Sequence, residues 1–308
     1  MTMDAVLEKS GAQGAASAEV AREAKVATAS NTDAAELENA ARKAQRRRKT
    51  RVLAWRLVVL AALLGGWELS GRLQWIDPFF YSTPSAVAAR LYEWMTEGTA
   101  QGSLWWQLYV TMEEALLGFV TGSVMGVILG IALGRNRFAA DVFWVYIKVA
   151  NAIPRVVLAP VFILIFGLGL WSKVALSFVM VFFVVFSNAF QGVREADRAL
   201  IANAQILGAS HWQITRSVVL PSAMSWIFAS LHVSFGFAII GAIVGEFVGS
   251  REGIGLLIQV ASGSFDAAGI FAAIVLIVAI ALIAEYAMTA VENRLLKWRP
   301  TPFHDLNG

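Results

Sequence analysis

Few ionisable side chains lie within the apolar runs of this 308-residue chain, and those few could do chemistry. Arg155 is the deepest. A charge at mid-bilayer depth costs about 2.5–3.5 kcal/mol on insertion scales, so it needs a cavity or a counter-charge. Three readings follow: a pathway cation that helps an anion pass, a structural partner of Glu246, Glu114 or Glu285, or a group that snorkels to the interface where the kink places it higher. Glu246, near the end of another apolar run, is either that partner or a residue of an outer gate. Pro154 and Pro160 flank Arg155. Proline removes a backbone donor and kinks a helix. Broken backbone at membrane depth is tolerated where protein or a water-filled cavity surrounds it. Pro154, Arg155, Pro160 and Glu246 are therefore the candidate pathway residues. His232 stands alone in an apolar run and is expected to pack or hydrogen-bond between helices. No carboxylate or histidine cluster has metal-ligand spacing, cysteine is absent, and no nucleophile–base pair is visible. There is no G-x-x-x-x-G-K-[ST] phosphate loop. The chain itself is expected to hold no cofactor or metal and to catalyse no reaction.

A second constellation is semi-polar. The stretch ANAQILGASHWQITRSVVLP, Ala202 to Pro221, is an island between two long apolar runs. Arg198 to Leu207 can form a short helix, and Gly208 allows a turn. Ser210 is a plausible N-cap for a second helix from His211 to Val219, after which Leu220 and Pro221 turn the chain back into the membrane. The two helices would lie along the surface and present Ile206, Leu207, Trp212 and Ile214 to a partner groove, or else form a lipid-facing linker.

The elements that position these residues follow from composition. Hydrophobic residues make up 57% of the chain and charged ones only 15%, with a mean hydropathy of +0.62. A soluble domain has about 25% charged residues, so lipid must be the solvent for much of this surface. Six apolar runs approach the roughly 20 residues a bilayer requires: 53–71, 108–133, 142–166, 172–190, 226–248 and 269–291. With the N-terminus inside, 20 Lys and Arg fall in inner segments and 4 in outer ones (Arg72, Arg90, Lys173 and Arg251). The positive-inside rule then favours both termini inside, and the 202–221 island faces the cytoplasm. Tryptophans near span ends, Trp298 among them, fit an interfacial belt. The expectation is an all-α integral membrane protein with six transmembrane helices.

Residues 1–50 are too poor in large apolar residues to fold alone and read as a disordered basic cytoplasmic tail. The run Arg46–Arg51 suits a topological anchor at anionic lipid. Residues 51–308 form the membrane domain. In the outer loop 72–107, Thr83 or Ser85 can start a short amphipathic helix carrying Val87, Leu91 and Trp94. Glycines 118, 122, 126, 130 and 134 recur at a four-residue step. On a helix, Gly118, Gly122, Gly126, Gly130 and Gly134 make a stripe that lets another backbone approach closely. Residues 249–268 are expected outside, with Gly253-Ile254-Gly255 dipping back toward a pathway mouth.

The island resembles the coupling motif of binding-protein-dependent ABC importer permeases, written EAA–three–G–nine–I–one–LP. Ala204 matches the second alanine, Gly208 the glycine, and Leu220-Pro221 the end, while Val218 stands at the isoleucine. Ala202 stands where the family's glutamate belongs and Asn203 replaces the first alanine, so that glutamate's charged contact is not carried over. Thr83-Pro84-Ser85, Ile153-Pro154-Arg155 through Ala159-Pro160, Phe166-Gly167-Leu168-Gly169, Gly245-Glu246 and Gly253-Ile254-Gly255 are similar to the nitrate/sulfonate/taurine branch. The family often has a basic residue where Glu114 stands. The resemblance covers about residues 75–300. It implies the type I permease fold and a multi-pass protein of the bacterial inner membrane. It implies a coupling loop at 194–222, in which Ala204, Leu207, Gly208, Ala209, Trp212, Ile214, Leu220 and Pro221 contact an ATPase. It implies as partners two cytoplasmic ATP-binding subunits that use ATP and Mg, a second permease copy, an extracytoplasmic substrate-binding protein and membrane lipid, with no nucleic acid. The expected cargo is a small anion. An ion-gradient-driven secondary carrier is the competing reading, though it would leave the coupling motif without a purpose.

Overall fold

The computed structural model describes residues 43–295, which are helical with short connections. The expected tail, up to residue 42, and Trp298 lie outside the described residues. The chain divides into two compact units between Leu69 and Ser70. Nearly all that is described of the first is one helix, α1 (Lys43–Arg72). The basic run Arg46–Arg51 thus lies in the first turns of a helix that extends on into the apolar run.

The second unit begins with two short helices, α2 (Pro78–Tyr81) and α3 (Pro84–Thr96). Thr83 starts α3, its hydroxyl accepting from the Ala86 N–H at 3.3 Å, with Pro84 at the first helical position. That position suits proline because its missing N–H has no partner there anyway. Val87 and Trp94 turn inward from α3. Long helices follow: α4 (Leu104–Arg135), α7 (Leu170–Arg194), α10 (Leu220–Val248) and α12 (Ala267–Leu295). Between α4 and α7 come α5 (Arg137–Ala152), a 3₁₀ turn (Arg155–Leu158) and α6 (Ala159–Phe166). Between α7 and α10 lie α8 (Arg198–Ile206), α9 (His211–Ile214) and a π turn (Thr215–Val219). The short α11 (Ile254–Gly263) separates α10 from α12.

Among the described residues, five helices are long and apolar enough to cross a membrane, or up to six if one bent pair counts as a span. The bent pair differs from the single run expected at 142–166. Its two halves meet at 82°, with Ile153 and Pro154 at the corner. Proline disfavours helical geometry in the residue before it, and Ile153 is extended. The other departure is at Pro221. The chain does not turn there but runs as one helix from His211 to Val248. The π turn just before Pro221 widens the helix where the proline ring would press on the carbonyl of Ser217.

Three helices form the centre. Each glycine of the four-residue step on α4 lies against α7. A Cβ at Gly122 would stand 2.9 Å from the Phe178 carbonyl oxygen, at Gly126 3.0 Å from that of Phe182, at Gly130 2.7 Å from that of Phe186, and at Gly134 3.1 Å from that of Phe190. Gly118 meets Ser177 and Phe178 in the same way. Two backbones therefore run in direct contact over four turns, gaining dispersion contacts that the lipid cannot supply. The third helix, α10, joins through Ser177, whose hydroxyl donates to the Ala238 carbonyl at 2.9 Å. Ala115, Val181, Val185, Phe235, Ala238, Ile239 and Ala242 are buried where the three meet. Outward-facing apolar residues stay uncovered, such as Leu164 at 86% and Ile283 at 70% exposure, as lipid-facing surface requires.

Candidate functional site: a coupling element, a broken span and a buried polar cluster

The island folds into a helix–turn–helix through three local signals. Asp197 caps α8, accepting from the Ala199 N–H at 2.7 Å. At the other end, the Ala209 N–H reaches the Ala204 carbonyl and the Gly208 N–H that of Gln205, each at 3.0 Å. This is a Schellman closure, which needs a left-handed residue after the cap. Gly208 supplies it with φ +80°. Nothing lies within 4 Å of where its Cβ would be, so the backbone angle alone favours glycine. Ser210 then opens the next helix with a reciprocal capping box: its Oγ accepts from Gln213 N–H at 3.3 Å while Gln213 Oε1 accepts from its N–H at 2.7 Å.

This geometry sorts the island's residues into two faces. Ile206, Leu207 and Trp212 are exposed at 83%, 86% and 66%. Ile214 was expected among them and is not: it is buried with Ala189, Val193, Ala196, Val219, Ala223 and Ile227. The helix that continues from α9 places position 214 on the side facing the bundle. Ala204 and Ala209 pack partly against the same cluster, which holds the turn onto the spans. Leu220 is partly buried and Pro221 exposed, both within the continuous helix.

Arg155 sits at the corner of the broken span, directly after Pro154. Its Nη2 donates to Asn151 Oδ1 at 2.7 Å, and its guanidinium lies 5.0 Å from the centre of the Phe183 ring. Its Nε is buried without a hydrogen-bond partner. It pairs with none of Glu246, Glu114 and Glu285, so the structural-partner reading fails for all three. Pro160 lies at the exposed start of α6. Phe183 had no signal of its own, because its place beside Arg155 depends on the 82° corner.

Glu246 is fully buried and belongs to a different constellation. Its Oε1 accepts from Thr111 Oγ1 at 2.7 Å and its Oε2 from the Gly255 N–H at 2.6 Å. Thr111 Oγ1 in turn accepts from the Ile254 N–H at 2.9 Å, and Gln107 Oε1 from the Gly253 N–H at 2.6 Å. Three consecutive N–H groups at the start of α11 are thus satisfied by side chains of α4 and α10. Gly253, at φ +104°, leaves no room for a Cβ beside the Glu246 carboxylate. The Glu114 carboxyl and the Lys173 ammonium lie within electrostatic reach of Glu246. Lys173 Nζ also donates to the carbonyls of Leu168 and Gly169. Lys173, read from sequence as an outer-loop charge, is instead 0% exposed. Both Glu246 oxygens have donors, whereas Glu114 Oε2 is buried without a hydrogen-bond partner. His232 bonds between helices as expected: its ring meets Glu285 and Glu292 of α12.

Residues 122–297 match the family described as the binding-protein-dependent transport system inner membrane component. This chain belongs to that family. It is 34% identical over 241 residues to the riboflavin transport system permease protein RibX of Chloroflexus aurantiacus, covering 78% of this chain and 88% of RibX. It is 28% identical to the putative aliphatic sulfonates transport permease protein SsuC of Bacillus subtilis, covering 79% and 87%. It is also 28% identical over 240 residues to the taurine transport system permease protein TauC of Escherichia coli, covering 78% of this chain and 87% of TauC. A solved amino acid ABC transporter chain superposes with a TM-score of 0.50 at 17% identity, over 63% of this chain and 92% of that one, which shows the shared fold. The protein is a multi-pass bacterial inner-membrane permease of an ABC importer. Permease components are not enzymes; a separate ATPase subunit hydrolyses ATP, and a substrate-binding partner completes the system.

Proposed function

We propose that this permease forms, as a homodimer, the translocation pathway for a small sulfonate-like anion. Both termini face the cytoplasm, and two ATPase subunits, using ATP and Mg, grip the Ala202–Pro221 element. The observation that carries the coupling assignment is the rigid turn at Gly208. It displays Ile206, Leu207 and Trp212 outward while Ala204 and Ala209 seat the turn on the spans. With Ala202 in place of the family's glutamate, docking rests on shape and apolar contact. Movement of the docked element then shifts the spans between two states that the ATPase prefers differently in its two nucleotide forms.

The anion assignment is supported by Arg155, a cation at a broken span with no carboxylate partner among the described residues. Glu246 leaves the pathway reading, since its carboxylate is occupied inside the bundle. The test uses the permease reconstituted with its ATPase and binding protein, and radiolabelled taurine, an alkanesulfonate, nitrate and riboflavin. Gly208→Asp is expected to retain insertion but lose substrate-stimulated ATP hydrolysis, because a non-glycine residue at φ +80° costs about 1–2 kcal/mol and disturbs the turn. Arg155→Gln is expected to lose transport of the anion while keeping ATPase docking. Anion transport at the wild-type rate in the Arg155 variant would remove the anion reading and leave the coupling reading standing.

A further inference from the structure

A polar cavity of about 510 Å³ lies against the coupling element, and Ile206, Leu207 and Trp212 are not among its lining residues. Its walls come from the last turns of α4 and α7, the beginning of α5, and α8 and α9. Arg135, Arg194 and Arg198 line it together with His211, facing one carboxylate, Asp141. None of the three guanidinium groups has an ion pair among the described residues. The Arg194 guanidinium lies 5.5 Å from the centre of the Phe190 ring. Guanidinium groups match phosphate oxygens bidentately, and three of them around one volume leave a net positive charge after Asp141 is counted.

The level of the cavity indicates where such an anion comes from. Arg135 and Arg194 end two helices long enough to span the bilayer, so the cavity opens where hydrocarbon gives way to headgroups. The flanking α5 exposes Phe138, Phe143 and Trp144, residue types that settle at that boundary. Val193, Ile214 and Val219 provide an apolar back wall, suited to the glycerol end of a lipid. We propose that this cavity binds the phosphate group of an anionic phospholipid, which wedges between the ends of α4 and α7 and the coupling helices. Lipid then becomes part of the footing of the coupling element. The site is independent of the transported substrate.

The test uses the purified full-length chain in neutral phosphatidylcholine nanodiscs or mild detergent. It measures thermal stability and native-mass-spectrometric adducts against phosphatidylglycerol, extra phosphatidylcholine and inorganic phosphate. Phosphatidylglycerol is expected to bind and stabilise, with affinity falling about fivefold for each of Arg135→Gln, Arg194→Gln and Arg198→Gln, and roughly a hundredfold for all three. Asp141→Asn is expected to tighten binding, which keeps the proposal testable if the triple variant does not fold. Equal protection by inorganic phosphate alone, lost in the same variants, would overturn the lipid source while keeping the phosphate site. Phosphatidylglycerol binding that is unchanged in all the variants would overturn the site. So would a triple variant that keeps its lipid but no longer associates with the ATPase, because the arginines would then be a protein contact.

Discussion

Thr111 offers the most direct test of the buried polar cluster. Its hydroxyl donates to Glu246 Oε1 at 2.7 Å and accepts from the Ile254 N–H at 2.9 Å, both buried. Thr111→Val keeps the shape and removes the oxygen. The Ile254 N–H then has no partner, at a cost of about 1–3 kcal/mol, and the Glu246 carboxyl loses a charge-assisted bond of about 1.5–3 kcal/mol. The combined effect, about 2.5–6 kcal/mol, falls on the junction that fixes α11 to α4 and α10. Local opening of α11 should rise about sixtyfold or more, at 1.4 kcal/mol per factor of ten. The absence of cysteine makes this measurable in the native sequence, which is already a cysteine-free background. Leu257, 2% exposed on α11, is replaced by cysteine and its reaction with a water-soluble maleimide is timed in detergent. Slow labelling is expected in the single variant and with Thr111→Ser, which keeps the hydroxyl, and fast labelling with Thr111→Val. Equal rates for the valine and serine variants would refute the idea that this hydroxyl holds α11 in place.

Two further perturbations probe the packing. Gly130→Val would put a Cβ 2.7 Å from both the Phe186 oxygen and the Ala189 Cβ, forcing α4 from α7; a sharp loss of monodisperse protein on size-exclusion is expected. Gly236→Ala, with nothing within 4 Å, should be neutral or stabilise by up to about 1 kcal/mol, read as a small rise in melting temperature. Lys173→Met takes a cation from the neighbourhood of the Glu114 and Glu246 carboxyls and the donor from the Leu168 and Gly169 carbonyls, so poor membrane yield is expected. Partial rescue by Glu114→Gln, measured as recovered yield, would tie the loss to that charge and not to packing.

Local signals were legible and long-range pairings were not. The turn at Gly208, the Ser210 cap and the start of α3 at Thr83 each follow from residues within three or four positions, where side chain and backbone meet regardless of the rest of the fold. The glycine step on α4 was legible as a stripe, but its partner was not, because α7 offers ordinary carbonyls and side chains in return. Lys173 was misplaced because span ends carry charges that can equally turn to water. Only the pairing of α4, α7 and α10 shows that it is buried, its ammonium donating to the carbonyls of Leu168 and Gly169. Pro221 was read as a turn because proline usually ends a helix; a π turn five residues long absorbed it instead. The side of the island that faces outward could not be derived without that continuity, which is why Ile214 was assigned to the wrong face.

The α4–α7 seam joins the two ends of the molecule's chemistry. It runs from Gly118, one turn from the buried Glu114, to Gly134, beside the Arg135 that lines the cavity against the coupling helices. At 1.5 Å per residue this is about 24 Å of helix. Backbones in contact at every fourth residue cannot tilt or slide without opening gaps that nothing fills, so the pair should move as a single bar. A displacement of the coupling element would then reach the α11 junction by rotation of that bar, without any change along its length. Spin labels on lipid-facing sites of α4 and α7 should keep one separation in both nucleotide states of the assembled importer, while a pair from α7 to α5, across the 82° corner, should change. A nucleotide-dependent separation between α4 and α7 would show that the seam itself is the moving part.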